Sequence, residues 1–307
     1  MLRFLRAPVW SQLPRGESVH DLGFAAGSIN PPRLRHEHCH FPQTVTMLIL
    51  ILLPVAFLLP PGAGAGEIIG GREAQPHSRP YMAYLEIQRG NNSSFCGGFL
   101  MSKNFVLTAA HCNGDIITVR LGTHNLRNLE HNEQRIPVRR SIPHPRYNRV
   151  TINNDIMLLQ LAQQARLSDK VQTVHLPHYG DKVIPGSVCS VAGWGQTSVF
   201  PGKTSDVLME VDLEVMEDRN CSSHFPNKYK PGTMLCAGDP LGRKSAFKGD
   251  SGGPLVCGRV AQGIVSFSPI DASPPQVYTR VSQFIPWIKE TMGKLQAWDP
   301  LEFSLHA

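Results

Sequence analysis

The sequence predicts an all-β protein closed by one C-terminal helix. Three observations carry that reading. Short strand-like runs recur from residue 68 onward, turn-forming Gly, Pro, Asn and Asp separate many of them, and only the last part of the chain shows a convincing helical period. With 27 Gly and 25 Pro in 307 residues, the chain is rich in turns without being of low complexity. An apolar share of 41% is enough to build a core, so wholesale disorder is excluded.

The strand-like runs are Met82–Ile87, Phe105–Thr108, Ile116–Leu121, Ile156–Leu161, Val188–Ala192, Leu208–Val215 and Ala261–Ser266. Many short strands at such spacing suit a barrel or a sandwich alike. Over 281–292, Val281, Phe284, Ile285, Ile288 and Met292 share one helical face, with Pro286 near the helix start, where a missing N–H is tolerated. From Gly293 to 307 the chain reads as a tail. No internal repeat is present.

The first 67 residues read as removable. Met47–Pro60 is a short apolar run followed by small residues at Ala63 and Ala65, the pattern of a secretory signal over 47–65. A membrane span needs ~20 apolar residues and would not carry Pro54 and Pro60. Residues 1–46 read as an upstream extension outside the mature protein. They include His36-Glu37-His38-Cys39-His40, a soft-metal pattern only if that segment is retained. Residues 66–67 remain between signal and domain. Removing residues 1–67 takes away five of the 30 basic and four of the 24 acidic side chains, leaving +5. That excess suits an acidic proteoglycan partner or an ordinary solvated basic surface equally. No nucleic-acid-binding motif accompanies it.

Of seven cysteines, Cys39 precedes the signal; Cys96, Cys112, Cys189, Cys221, Cys236 and Cys257 follow it. Six cysteines behind a signal read as disulfides, with fifteen pairings open. No Cys-x-x-Cys pair is present, which argues against structural zinc and a thioredoxin-like centre. Asn91, Asn92 and Asn220 head glycosylation acceptor triplets.

Three motifs carry chemistry together. Gly249-Asp250-Ser251-Gly252-Gly253-Pro254 places a serine on an uncrowded backbone with amides nearby. Thr108-Ala109-Ala110-His111-Cys112 supplies a base, without which serine is a poor nucleophile. Asn154-Asp155-Ile156 puts an acid at a strand entrance, where burial would demand a partner. Each alone has a plain structural explanation: a glycine turn, a core histidine, a cap. Their order, His111, Asp155, Ser251, is that of one particular class of Ser-His-Asp hydrolases.

From Ile68 to about Met292 the chain resembles the chymotrypsin-like serine proteases, including Ile68-Ile-Gly-Gly71 and Gly193-Trp194-Gly195. His77–Tyr84, Asp155–Leu159 and Ala246–Gly253 look most like the granule group of leukocytes and mast cells: cathepsin G, the granzymes and the chymases. The resemblance implies two antiparallel six-stranded β-barrels over about 68–178 and 179–280, joined near Leu176–Pro185, with the helix at 281–292. It implies His111 as general base then acid, Asp155 as its orienting partner, Ser251 as nucleophile, and the Gly249 and Ser251 amides as the oxyanion hole. It implies an ion pair between a new Ile68 α-amino group and Asp250 once a dipeptidyl peptidase removes Gly66-Glu67. It implies disulfides Cys96–Cys112, Cys189–Cys257 and Cys221–Cys236, with Phe247 where many relatives have a cysteine of a further bridge.

For specificity, the resemblance places Ser245 at the base of the S1 pocket, Gln276 on its wall, and Ser266, Phe267 and Ser268 along the substrate backbone, Ser268 narrowing the entrance. Ser245 instead of Asp disfavours a trypsin-like pocket, and Gln276 removes the acid that cathepsin G has there. Large apolar P1 residues follow. A monomeric granule endopeptidase is implied, acting on proteins or peptides, checked by protein protease inhibitors, and needing no metal or organic cofactor. The competing reading is a non-enzymatic heparin-binding antimicrobial protein on the same scaffold, although its known examples have lost triad residues.

Overall fold

In the computed structural model, residues 68–128, 130–199 and 203–297 are described. The signal, the Gly66-Glu67 dipeptide, the His36–His40 cluster and the end of the tail lie outside them. A two-residue strand, β1 (Arg72–Glu73), precedes the first barrel. That barrel is formed by β2 (Met82–Arg89), β3 (Asn92–Ser102), β4 (Phe105–Thr108), β5 (Ile116–Leu121), β6 (Gln134–Pro143) and β7 (Met157–Leu161). All neighbours are antiparallel and the order β2-β3-β4-β7-β6-β5 closes on itself. The second barrel follows with β8 (Val188–Gly193), β9 (Met209–Val215), a short helix α1 (Asp218–His224), β10 (Met234–Gly238), β11 (Pro254–Cys257), β12 (Val260–Phe267) and β13 (Gln276–Arg280). Its order is β9-β10-β13-β12-β11-β8, closed by β8 on β9, and β1 adds to the outer side of β9.

The strand pattern shows why the chain folds this way. Along β2, Ala83, Leu85 and Ile87 turn inward while Tyr84 and Glu86 stay half-buried, the period of two expected of a strand with one core face. β4 and β7 are buried along their whole length, because their outer faces are covered as well. The first core gathers Leu85, Phe99, Leu107 and Leu158; the second gathers Val191, Val211, Leu255 and Tyr278.

Several elements differ from the sequence reading. β3 has no counterpart among the strand-like runs, and it carries Gly97-Gly98 at two points of close approach. A Cβ on Gly97 would lie 3.1 Å from the Gly253 backbone, and one on Gly98 3.0 Å from Val106. β6 contains Pro137, whose carbonyl accepts from Ala162 N at 2.9 Å. β10, β11, β13 and α1 have no counterpart among the strand-like and helical runs. The final helix opens with 3₁₀ geometry over Val281–Phe284 and continues as α2 (Ile285–Ala297), beyond the boundary expected at Gly293. The Gly293 side faces open space, and Met292 and Leu295 extend the apolar stripe onto the first core.

Candidate active site

His111 sits on a 3₁₀ turn, Ala110–Cys112, directly after β4. Two devices hold that turn. The Cys96–Cys112 disulfide ties it to β3, and the Arg89 guanidinium donates to His111 O at 2.7 Å and Asn113 O at 2.6 Å. Asp155 enters β7 from a loop with left-handed Ile152 and Asn154 and is 1% exposed. Its carboxylate accepts from His111 N at 2.9 Å and from His111 Nδ1 at 2.7 Å. A proton on Nδ1 serves that bond and leaves Nε2 as the acceptor. The second barrel completes the setting: Ser266 Oγ of β12 donates to Asp155 Oδ2 at 2.6 Å, and Thr279 Oγ1 of β13 donates to Asp155 O at 2.7 Å. Neither role is legible in the sequence for Ser266 or Thr279, because 111 and 124 residues separate them from Asp155.

Ser251 is brought against the histidine turn. Its carbonyl accepts from Gly97 N at 2.8 Å and lies 3.7 Å from Cys112 Sγ. A Cβ on the next residue, Gly252, would collide with Thr108 Oγ1, so glycine is required for the two barrels to meet here. Gly249 has φ +102°, and a Cβ there would lie 2.6 Å from the Phe95 ring and 2.8 Å from Gly195 Cα. Among the described residues, neither the Gly249 nor the Ser251 amide donates to a protein acceptor.

Asp250 points the other way, into the second barrel, and is fully buried. It accepts from Gly195 N at 2.8 Å and Phe247 N at 3.0 Å. Gly193 and Gly195 make room for it, since a Cβ on either would strike its carboxylate. Burial raises its pKa to about 6, against the lowering from those two amides. Ile68 is buried in the same barrel core, and Ile69 O accepts from Ser245 N at 2.9 Å.

Beside Ser251 opens a cavity of about 230 Å³ lined by Phe247, Lys248, Val265, Phe267, Ser268 and Gln276, with Ser266 and Ile270 also on its wall. Ser245, expected at its base, is not a lining residue: it is buried behind Ala246, to whose carbonyl its Oγ donates at 2.9 Å. Lys248 stands inside the Ala246–Gly253 motif, but the motif gives it no role. Pro269 and Ile270 reach the cavity from the 268–275 loop, which no motif marks.

The disulfides are Cys96–Cys112, Cys189–Cys257 and Cys221–Cys236. Cys96, His111 and Cys112 bring potential ligand atoms within 4.8 Å, but both sulfurs are bridged and so are not thiolate ligands. Asn91, Asn92 and Asn220 are all exposed.

The family profile described as Trypsin matches residues 68–288. Cathepsin G of Homo sapiens is 53% identical over 255 residues, covering 83% of this chain and 99% of the relative. Granzyme B of Homo sapiens is 55% identical over 244 residues, 80% and 98% of the two chains. Mast cell protease 3 of Ovis aries is 54% identical over 246 residues, 80% and 96%. A solved structure of GrC superimposes with TM-score 0.71 at 49% identity, over 74% of this chain and all of the other. A family match across both barrels, on a fold that brings His111, Asp155 and Ser251 to one seam, places the chain in the trypsin family of serine endopeptidases.

Proposed function

We propose that His111, Asp155 and Ser251 form a catalytic triad hydrolysing peptide bonds after large apolar P1 residues. The observation that carries this reading is the 2.7 Å His111–Asp155 contact, beside a serine flanked by two unengaged amides. His111 Nε2 takes the Ser251 proton as Oγ attacks the scissile carbonyl, then returns it to the leaving amine. Asp155 holds the tautomer and stabilises the imidazolium. The Gly249 and Ser251 amides receive the oxyanion. Substrate lies along Ser266–Ser268 as an added strand, with P1 in the adjacent cavity. Gln276 brings no carboxylate to that cavity and, among the described residues, no acidic side chain lines it, so Lys and Arg have no counter-charge there.

The same reading makes Asp250 the partner of a free Ile68 amine. A signal cleaved after Ala65 leaves Gly66-Glu67 for a dipeptidyl peptidase, the arrangement of granule-stored relatives. Storage in leukocyte or mast-cell granules, a role in immune defence, protein protease inhibitors and an acidic proteoglycan as partners, and action as a monomer go with it.

The test is a peptide library digested with protein beginning at Ile68, beside Ser251→Ala. Cleavage after Phe, Tyr, Leu or Met, lost in the variant, is expected. Cleavage after Lys or Arg would overturn the pocket reading. Absence of cleavage with disulfides intact would overturn the triad.

A further inference from the structure

The wall of the cavity beside Ser251 carries a buried polar side chain, Gln276, that its apolar neighbours do not satisfy. Gln276 and Tyr278 are two apart on β13 and therefore share a face. Both are almost wholly buried, at 1% and 0% exposure. Among the described residues, neither Gln276 Oε1 nor Tyr278 Oη has a hydrogen-bond partner. The Gln276 amide nitrogen makes only two long bonds, each 3.4 Å, to Ala272 O and Ser273 O. Gln276 lines the cavity, and Val265, which also lines it, pairs across the sheet with Tyr278. Ser245 does not relieve them, because its hydroxyl is engaged by Ala246 O.

Buried polar groups in native proteins are almost always paired, so an unpaired Gln276 Oε1 on the cavity wall, with the unpaired Tyr278 hydroxyl behind it on the same strand face, marks a demand for a polar ligand group. The charge of that group follows from its neighbours. The Gln276 amide carries none. Burial and the Asp250 carboxylate push the Tyr278 phenol up, so it stays a neutral donor. Lys248, also on the cavity lining, sets a positive charge against a cationic P1, while the Asp250 carboxylate, whose charge acts on Tyr278, opposes an anionic one.

We propose that Gln276, with Tyr278 behind it, selects P1 side chains that end in a neutral hydrogen-bonding group, tyrosine over phenylalanine and glutamine over methionine. This rests on the cavity being the P1 pocket of the proposed protease, and it narrows the large apolar P1 preference of that reading to large side chains with a neutral polar tip. A site built around a substrate hydroxyl or amide discriminates against the shape-matched analogue lacking it, because the site's own groups are then left unpaired.

The experiment compares kcat/KM for four peptides differing only at P1, Tyr against Phe and Gln against Met, on enzyme beginning at Ile68. A preference of roughly tenfold or more for the polar member of each pair is expected. In Gln276→Met, with intact sites counted by a covalent serine-hydrolase probe, both ratios should collapse toward one. Ratios below about threefold in the unmodified enzyme, or a preference for Phe and Met, overturn the inference whether or not the variant folds. An ordered water that keeps these groups paired throughout would give that result. Failure to cleave any of the four peptides, or a library preference for Lys or Arg, would instead overturn the reading on which the inference rests.

Discussion

Asp155 and Asp250 are both buried carboxylates beside the same seam, and they meet opposite environments. Asp155 accepts three hydrogen bonds from groups already in place, His111 N, His111 Nδ1 and Ser266 Oγ, contributed by both barrels. Asp250 is as deeply buried and accepts two, both from backbone amides, and its pKa is raised to about 6. While Ile68 remains peptide-bonded to Glu67, its nitrogen carries no charge to offer Asp250. A carboxylate with its donors assembled marks finished machinery. One buried short of a counter-ion marks a place where a cation is still to arrive. On the proposed reading, the base half of the site is complete without that amine, and the Ser251 half is where cleavage before Ile68 would act.

Asp155→Asn breaks the finished side of that comparison. The amide fits the same space but can donate to Nδ1, turning the imidazole to the tautomer that lacks an acceptor at Nε2. kcat should fall on the order of 10⁴-fold with KM little changed. That magnitude is the one known for the same substitution in chymotrypsin-like proteases. A loss below about tenfold would show that Asp155 does not set the tautomer.

Asp250→Asn tests the waiting side. In protein beginning at Ile68 it removes the anion that would draw in the amine and order the oxyanion hole, so kcat should fall on the order of 10²-fold. In the precursor the same change acts on stability instead. The native pKa of about 6 lies above the ordinary carboxylate value of 3.8, so the folded precursor binds the proton more tightly than the unfolded chain. The stability this group contributes is fully present below about pH 4 and is lost as pH rises through about 6, on the order of 3 kcal/mol. Melting of the precursor from about pH 4 to about pH 7 should show that decline, and the Asp250→Asn variant should flatten it. A precursor equally pH-dependent with and without the Asp250 carboxylate would remove the argument.

The same contrast explains what can be read from residues alone. β4 and β5 match the sequence reading residue for residue, because Phe105–Thr108 is an apolar or β-branched run, as is Ile116–Leu121 but for Arg120, and both have clear ends. β3 is hidden by Gly97-Gly98, glycines that sit at the close approach of Gly253 and Val106 and carry no strand propensity. Around the site, His111, Asp155 and Ser251 stand in local motifs and are visible. The hydroxyls that complete Asp155 and the unpaired groups of Gln276 and Tyr278 are not, since their meaning depends on strand register across the second barrel. Local motifs announce reacting groups, and only tertiary pairing shows which groups are satisfied.

Ser266→Ala gives the smallest and sharpest effect, because it strips Asp155 of one donor out of three and leaves the rest of the site alone. Removing a hydrogen bond to a buried charge costs about 1.5–3 kcal/mol. Part of that cost falls on folding and part on the transition state, where Asp155 must hold the imidazolium. The backbone of Ser266 keeps its place in β12, so substrate pairing along 266–268 should persist and KM should stay near its original value. kcat should drop about tenfold, and threonine, which restores a hydroxyl, should recover much of it. A rise in KM with kcat unchanged would mean that Ser266 serves substrate binding alone. Asp155 would then depend on the two bonds from His111, and the two aspartates would differ less than their donor sets imply.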